Sequence, residues 1–349
     1  MSRFNPDMMI LAREWQGMSQ SALAKTISST QATVSRYESG LITPIEEHLS
    51  RIADALDRPL SFFFLEERTY GASSMFHRRR KNLTLTEEKR IHAQVNELRI
   101  RASILLIEAE IESRFCFHRL ALDQDGPEKA AQKLRQLWQL PGGPVRSVVA
   151  SIERAGGIVF RCPFGTDKVD GVSQWPLDSD GAPPVLFVRE DCPGDRQRFT
   201  LSHEIAHLVM HHLPTEDPEN EADRFASEFL MPAREIAPEL DRLTLQKAAA
   251  LKCYWKVSMA AIIRRAFDLA RITERQYRYF NIEMAKRGYK KCEPALIPSE
   301  EPSLFRAILD VHRNNHNRSP AELSALLGMK EHQFRQQFWQ SSLGLRIAG

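Results

Sequence analysis

No stretch of the 349-residue sequence approaches the ~20 consecutive apolar residues that a membrane span requires. The N-terminus, MSRFNPDMMILAREWQG, has neither a long apolar core nor a small-residue cleavage site, so no secretory signal is expected. The five cysteines (Cys116, Cys162, Cys192, Cys253 and Cys292) are scattered, odd in number and never in a CxxC pair, which argues against a disulfide framework and against a cysteine-rich zinc site. Internal repeats and low-complexity tracts are missing as well. These absences predict a cytoplasmic protein with reduced thiols and no membrane partner. What remains is ordinary globular composition, 42% hydrophobic and 27% charged, on a chain long enough for two or three units.

The net charge of +3 is a sum of segments of opposite sign. Arg68 to Arg101 holds nine Lys/Arg against three Asp/Glu, and Arg264 to Glu293 holds nine against four. Gly142 to Leu240 holds nine against seventeen. Basic flanks around an acidic middle suit a chain whose parts meet different partners.

Met8 to Phe64 reads as short amphipathic helices, with Ser19 placed to cap QSALAK. From Phe76 a basic run, His77 to Lys81, leads into a long helical pattern. The sequence Leu140-Pro141-Gly142-Gly143-Pro144 is the strongest break in the chain. After it come a helix over Val145 to Arg154 and three β-rich stretches, Gly157 to Cys162, Gly171 to Trp175 and Pro184 to Arg189. Helical patterns follow over Arg196 to His212 and Pro218 to Leu230. Pro294 to Pro302 reads as a linker, and the tail carries one weak helix-turn-helix-like pattern, SPAELSALLGMKEHQFRQQF.

The residues with most chemistry are His203-Glu204-Ile205-Ala206-His207. Histidines four apart share one helix face and can both reach a single metal, while the glutamate beside the first points at the water such a metal activates. A catalytic zinc wants a third protein ligand and one open position. Glu219-Asn220-Glu221-Ala222-Asp223 begins the next amphipathic helix. Glu219 and Asp223 lie one turn apart, so Glu219 can bind metal while Asp223 accepts a hydrogen bond from His203. Glu221 points nearly to the opposite side; Glu219 is preferred because it alone has a carboxylate at i+4, and Glu221 remains the alternative. Position 210 is Met and position 213 Leu, so HExxHxxGxxH is not satisfied. His211 and His212 therefore read as solvated or core histidines. The stretch Pro184 to Arg189 is a candidate edge strand on which an extended peptide could pair. Tyr254 and the histidines are candidates for the oxyanion donor.

The pairing of RFTLSHEIAH with ENEADRFASEFLMP resembles the ImmA/IrrE family of zinc metallopeptidases, over roughly Gly142 to Gly288. The resemblance implies a small gluzincin-like fold, Zn2+ held by His203, His207 and Glu219, and Glu204 as the catalytic glutamate. It also implies a protein substrate of the repressor or antitoxin-like kind, cut in response to stress or a signal. An acidic surrounding suits a basic DNA-binding substrate.

Near the N-terminus, Gln20-xx-Leu23-Ala24 followed by Gln31-xx-Val34-Ser35-Arg36 has helix-turn-helix spacing. The segment resembles the Xre/Cro family of repressor domains. That likeness implies base contacts from Gln31, Ala32 and Arg36 on double-stranded operator DNA, with Gln20, Thr30 and Thr33 near the phosphate backbone. Two features depart from the pattern: Ser28 stands where the turn usually has Gly, and Met1 to Glu66 carries six basic against eight acidic residues. The run Arg78 to Lys81 could supply the phosphate attraction.

The expected fold is mainly α with a small β-sheet (α+β). It comprises an all-α helix-turn-helix domain over 1–66, a helical basic connector over 67–141, a gluzincin-like metallopeptidase domain over 142–293 and a helical extension over 294–349. The expected function is a transcriptional regulator with zinc-dependent endopeptidase activity, with a homodimer as one arrangement. The competing expectation is a non-enzymatic metabolite sensor that uses the metallopeptidase-like domain to bind its ligand, and a third is an antitoxin-like repressor with no metal requirement.

Overall fold

A computed structural model describes residues 3–66, 69, 75–77, 83–107, 116–120, 126–175, 183–212 and 215–339. The chain divides into two compact units, one formed by Met1–Ser74, Arg80–Ile111 and Leu304–Gly349, the other by Met75–Arg79 and Glu112–Ser303. The basic run Arg78 to Lys81 lies outside the described residues.

The first unit opens with α1 (Pro6–Trp15), α2 (Gln20–Thr26), α3 (Gln31–Glu38) and α4 (Glu46–Ala55). Three of these starts are fixed by the sequence: Asn5, Ser19 and Thr30 each accept a hydrogen bond from a backbone N–H of the first turn, worth about 0.5–2 kcal/mol apiece. Ser19 is the cap expected from the sequence. Met8, Met9, Leu23, Val34, Ile52, Phe62 and Phe63 close the core. The long helix α5 (Leu85–Ile107) packs on α1 and adds Ala93 and Ile100 to that core. At its centre Glu97 is buried between Arg58, 2.9 Å away, and Arg101.

Ser28, in the turn between α2 and α3, has φ of 57°, left-handed backbone that an L side chain adopts only at a cost. Ser28→Gly removes that cost and is expected to stabilise the protein by about 0.5–1 kcal/mol net of glycine's larger unfolded-state entropy. The urea midpoint should rise with the m-value unchanged; an unchanged or lower midpoint would contradict the assignment.

The second unit contains β1 (Met75–His77), α6 (Gly126–Leu137), α7 (Val148–Arg154), β2 (Ile158–Cys162), β3 (Gly171–Gln174) and β4 (Val185–Arg189). Then follow α8 (Gly194–Met210), α9 (Pro218–Leu230), α10 (Ala233–Ile236), α11 (Leu245–Trp255), α12 (Met259–Asp268) and α13 (Glu274–Lys286). The four strands lie in the order β1-β3-β4-β2, with β2 parallel to β4 and the other pairs antiparallel.

This order corrects one expectation. The Pro184 to Arg189 stretch is an interior strand, hydrogen-bonded on both sides, and not an edge. Its residues Val185, Leu186, Phe187 and Val188 are buried on both faces, which is why they are continuously apolar instead of alternating. The strand beside the helix of interest is β3, and its outer edge is paired with β1 in the register Phe76↔Ser173.

Gly171 lets α8 lie close on β3. A Cβ there would sit 2.5 Å from Thr200 Cγ2, 3.2 Å from the Phe187 carbonyl oxygen and 3.3 Å from Glu204 Cγ. Helix α6 packs against α9 and buries Ala130, Ala131 and Leu134 in the core of this unit. Residues 67–141 are thus shared between the units: α5 completes the first core and α6 the second. The linker-like Pro294 to Pro302 is pinned to the second unit by Glu300, which accepts from Ser147 Oγ at 2.7 Å and the Val149 N–H at 2.8 Å at the start of α7, and pairs with Arg198.

The tail returns to the first unit as α14 (Leu304–Asn314), α15 (Pro320–Leu326) and α16 (Glu331–Phe334). Ser319 and Glu322 form a reciprocal capping box at α15, His312 Nε2 contacts the Leu105 carbonyl at 2.7 Å, and Lys330 pairs with Asp57 at 2.5 Å. Among the described residues no helix is long and apolar enough to cross a membrane.

Candidate metal centre

Two helices build the centre. Helix α8 is buried along almost its whole length, so the three motif side chains have little rotational freedom. Its Arg198 donates to the carbonyls of Val145 at 2.7 Å and Lys256 at 3.0 Å and fixes the helix against two loops. Helix α9 starts at Pro218, capped by Asp217, and buries Ala222, Phe225, Ala226, Phe229 and Leu230. That apolar stripe fixes the helix rotation, and Glu219 and Asp223 on the neighbouring face then meet α8.

The structure brings His203, His207 and Glu219 together. Their ligand atoms lie within 4.8 Å of one another, the histidines buried and the glutamate exposed, in a group that could hold a metal ion. His203 Nε2 and His207 Nε2 are 3.0 Å apart, and Glu219 places Oε2 3.5 Å from the first and Oε1 3.4 Å from the second. Ligands ~2.0–2.1 Å from a tetrahedral zinc stand roughly 3.3 Å from one another, so the donor set fits that ion with one position left for water or substrate.

Asp223 Oδ1 lies 2.9 Å from His203 Nδ1, the contact expected from the i+4 spacing. With Nδ1–H given to the carboxylate, Nε2 is the atom of His203 that faces the centre. Glu204 is fully buried and accepts a hydrogen bond from Ser173 Oγ of β3 at 2.7 Å. Its charge acts on His203.

Glu221 is not in the group. Its Oε2 lies 3.0 Å from His211 Nε2, and His211 Nδ1 lies 2.7 Å from His207 Nδ1. His211 is therefore a buried histidine outside the donor group, one of the two readings expected from the sequence, but its contacts with Glu221 and His207 were not expected. The signal was available: His211 follows His207 by the same four residues that set His207 beside His203. Tyr254 is exposed, its hydroxyl beside Gly143, and takes no part in the hydrogen bonds described at the centre.

Electrostatics set the two histidines apart. Burial alone would depress His203, but hydrogen bonds to Asp223 and Glu219, with the Glu204 charge, outweigh it and lift its pKa to about 9. Burial and the His203 charge push His207 down instead. Burial and the neighbouring His207 push His211 to about 4. Burial would raise the Glu219 carboxyl, yet the contacts of its two oxygens with His203 and His207, at 3.5 and 3.4 Å, hold it well below the usual carboxylate range.

In the first unit Gln31, Ala32 and Arg36 are exposed on α3, and Thr30 and Thr33 share a 2.8 Å hydrogen bond at its start. Gln20 Oε1 accepts from Gln31 Nε2 at 2.7 Å, and Gln20 Nε2 donates to Glu38 Oε2 at 2.8 Å. Glu38 is itself clamped by Arg13 Nε at 2.5 Å and Nη2 at 3.0 Å. One buried ion pair thus ties α1, α2 and α3 together and orients Gln31.

Residues 152–267 match the family model described as the IrrE N-terminal-like domain, a peptidase family. Residues 10–63 match the helix-turn-helix model. No curated protein matches the chain. The chain is thus a fusion of an Xre-type helix-turn-helix DNA-binding domain and a peptidase domain of the IrrE/ImmA family.

Proposed function

We propose that the chain is a transcriptional regulator whose second unit is a zinc-dependent endopeptidase acting on a basic, DNA-binding repressor or antitoxin-like protein. The observation that carries this reading is the convergence of His203 Nε2, His207 Nε2 and a Glu219 carboxylate on one point, beside a glutamate held by Ser173. His203, His207 and Glu219 would hold a zinc ion, which would supply polarisation of a peptide carbonyl and a water of pKa about 7. Asp223 keeps Nε2 of His203 turned inward. Ser173 fixes the Glu204 carboxylate, which takes the proton from the attacking water and passes it to the leaving amine. Glu219 is half exposed, so the centre opens to solvent on its side.

A peptide entering by strand addition needs a sheet edge. The edge of β3 away from β4 is where Met75–His77 pairs, so a peptide on that edge takes the place of β1. The excess of acidic residues in the middle of the chain favours a basic partner.

The test is cleavage of a co-expressed helix-turn-helix repressor, followed on gels with and without chelator. Zinc-dependent fragments are expected; intact repressor in both arms while transcription stays regulated would move the reading to a metabolite sensor.

For the first unit, Gln31 and Arg36 offer the side chains that pair with adenine and guanine edges. Gln31→Ala and Arg36→Ala are each expected to reduce discrimination between operator and scrambled DNA by about 1–3 kcal/mol, read by fluorescence anisotropy. Equal loss on both DNAs would assign the residues to phosphate contact instead.

A further inference from the structure

The two imidazoles of the centre are oriented by different devices. His203 gives its Nδ1 directly to Asp223, whereas His207 Nδ1 lies 2.7 Å from His211 Nδ1. We propose that His211 and Glu221 form a relay that sets the tautomer of His207 and so prepares its Nε2 to bind metal, an inference that rests on the metal reading given above.

The argument is one of donors and acceptors. Glu221 Oε2 can only accept, so the 3.0 Å contact places the proton on His211 Nε2. A neutral imidazole carries one N–H, so His211 Nδ1 is then an acceptor. The 2.7 Å contact between His211 Nδ1 and His207 Nδ1 needs one donor, and that donor is His207. With its proton on Nδ1, His207 turns a lone pair at Nε2 toward the corresponding atom of His203, 3.0 Å away.

The relay is built into the helices. His203, His207 and His211 occupy successive turns at i, i+4 and i+8 of one face, and His211 caps α8 with its N–H on the His207 carbonyl at 3.1 Å. The His211 side chain is 2% exposed and that of Glu221 24%, so the water-facing end of the relay is the carboxylate. Glu221 and Glu219, two residues apart on α9, thereby serve the same centre from two sides. His211 and Glu221 are positioning residues, since they act through His207.

The experiment uses the full chain, stripped of metal and titrated with Zn2+ against a competing chelator. Glu221→Ala and His211→Leu are each expected to weaken zinc binding by about 10–100-fold, the usual consequence of removing a hydrogen-bond partner behind a histidine ligand. The double variant should lose no more than the larger single loss, because either change breaks the same chain. Glu221→Gln keeps an acceptor oxygen and should lose less than Glu221→Ala. In the unsubstituted metal-free protein, nitrogen-15 correlations should show His207 protonated at Nδ1. Zinc affinity of Glu221→Ala within about threefold of wild type, or a His207 proton on Nε2, overturns the relay while leaving zinc binding intact. A wild-type chain that takes up no zinc overturns the metal reading itself and this inference with it.

Discussion

Replacing Glu204 by glutamine should lower peptide cleavage by about 10²–10⁴-fold, the range for loss of a positioned general base, while leaving the metal in place. The separation follows from geometry. Glu204 belongs to none of the three ligand atoms that converge, and its carboxylate is held by Ser173 on β3. Glutamine keeps the size of the side chain and an oxygen able to accept from Ser173, but cannot take a proton from water. Its amide adds only a donor to a fully buried position, so the expected cost falls on turnover far more than on folding. Cleavage rate and bound zinc, measured on the same preparation, read the two effects separately. Equal loss of both would make Glu204 a ligand or a structural residue, not the base.

The second large effect belongs to His203. His203→Ala removes one of two imidazole donors and should cost more zinc affinity than the ~10–100-fold typical of a partner behind a ligand. The same residue sets a pH dependence. In the metal-free protein His203 is held at about 9 against an ordinary 6.5, so near neutral pH the metal must displace a proton from Nε2. Apparent zinc affinity should therefore rise with pH, by up to about tenfold per unit, and level off once pH passes about 9. An affinity that falls over that window would contradict a proton at this atom.

The parts legible in the sequence were those set by one helical turn. The i,i+4 spacing of His203 and His207 placed both imidazoles on one face of α8. The same spacing of Glu219 and Asp223 on α9 pointed to the third donor and to the partner of His203, and the geometry brings all four together. His211 obeys the same rule, four residues beyond His207. Its actual neighbours, His207 and Glu221, emerge once α8 and α9 are docked, which no single-helix periodicity fixes.

Sheet order was less legible, because pairing joins distant residues. Val185 to Val188 carried an interior signature in their unbroken apolar run. The partner of β3 at its far edge, Met75 to His77, is three residues long and has no alternation to announce it. For the same reason, membership of α5 and α14–α16 in the first unit depended on long-range packing, such as His312 on Leu105, and the tail sequence alone showed only a weak helix-turn-helix-like pattern.

Zinc content compared across three preparations tests the central claim most directly. Wild type and Glu204→Gln should each carry about one zinc per chain and His203→Ala little or none, with repressor cleavage confined to the wild type. Wild-type protein that cleaves without bound metal, or His203→Ala that keeps its full zinc, would contradict the account.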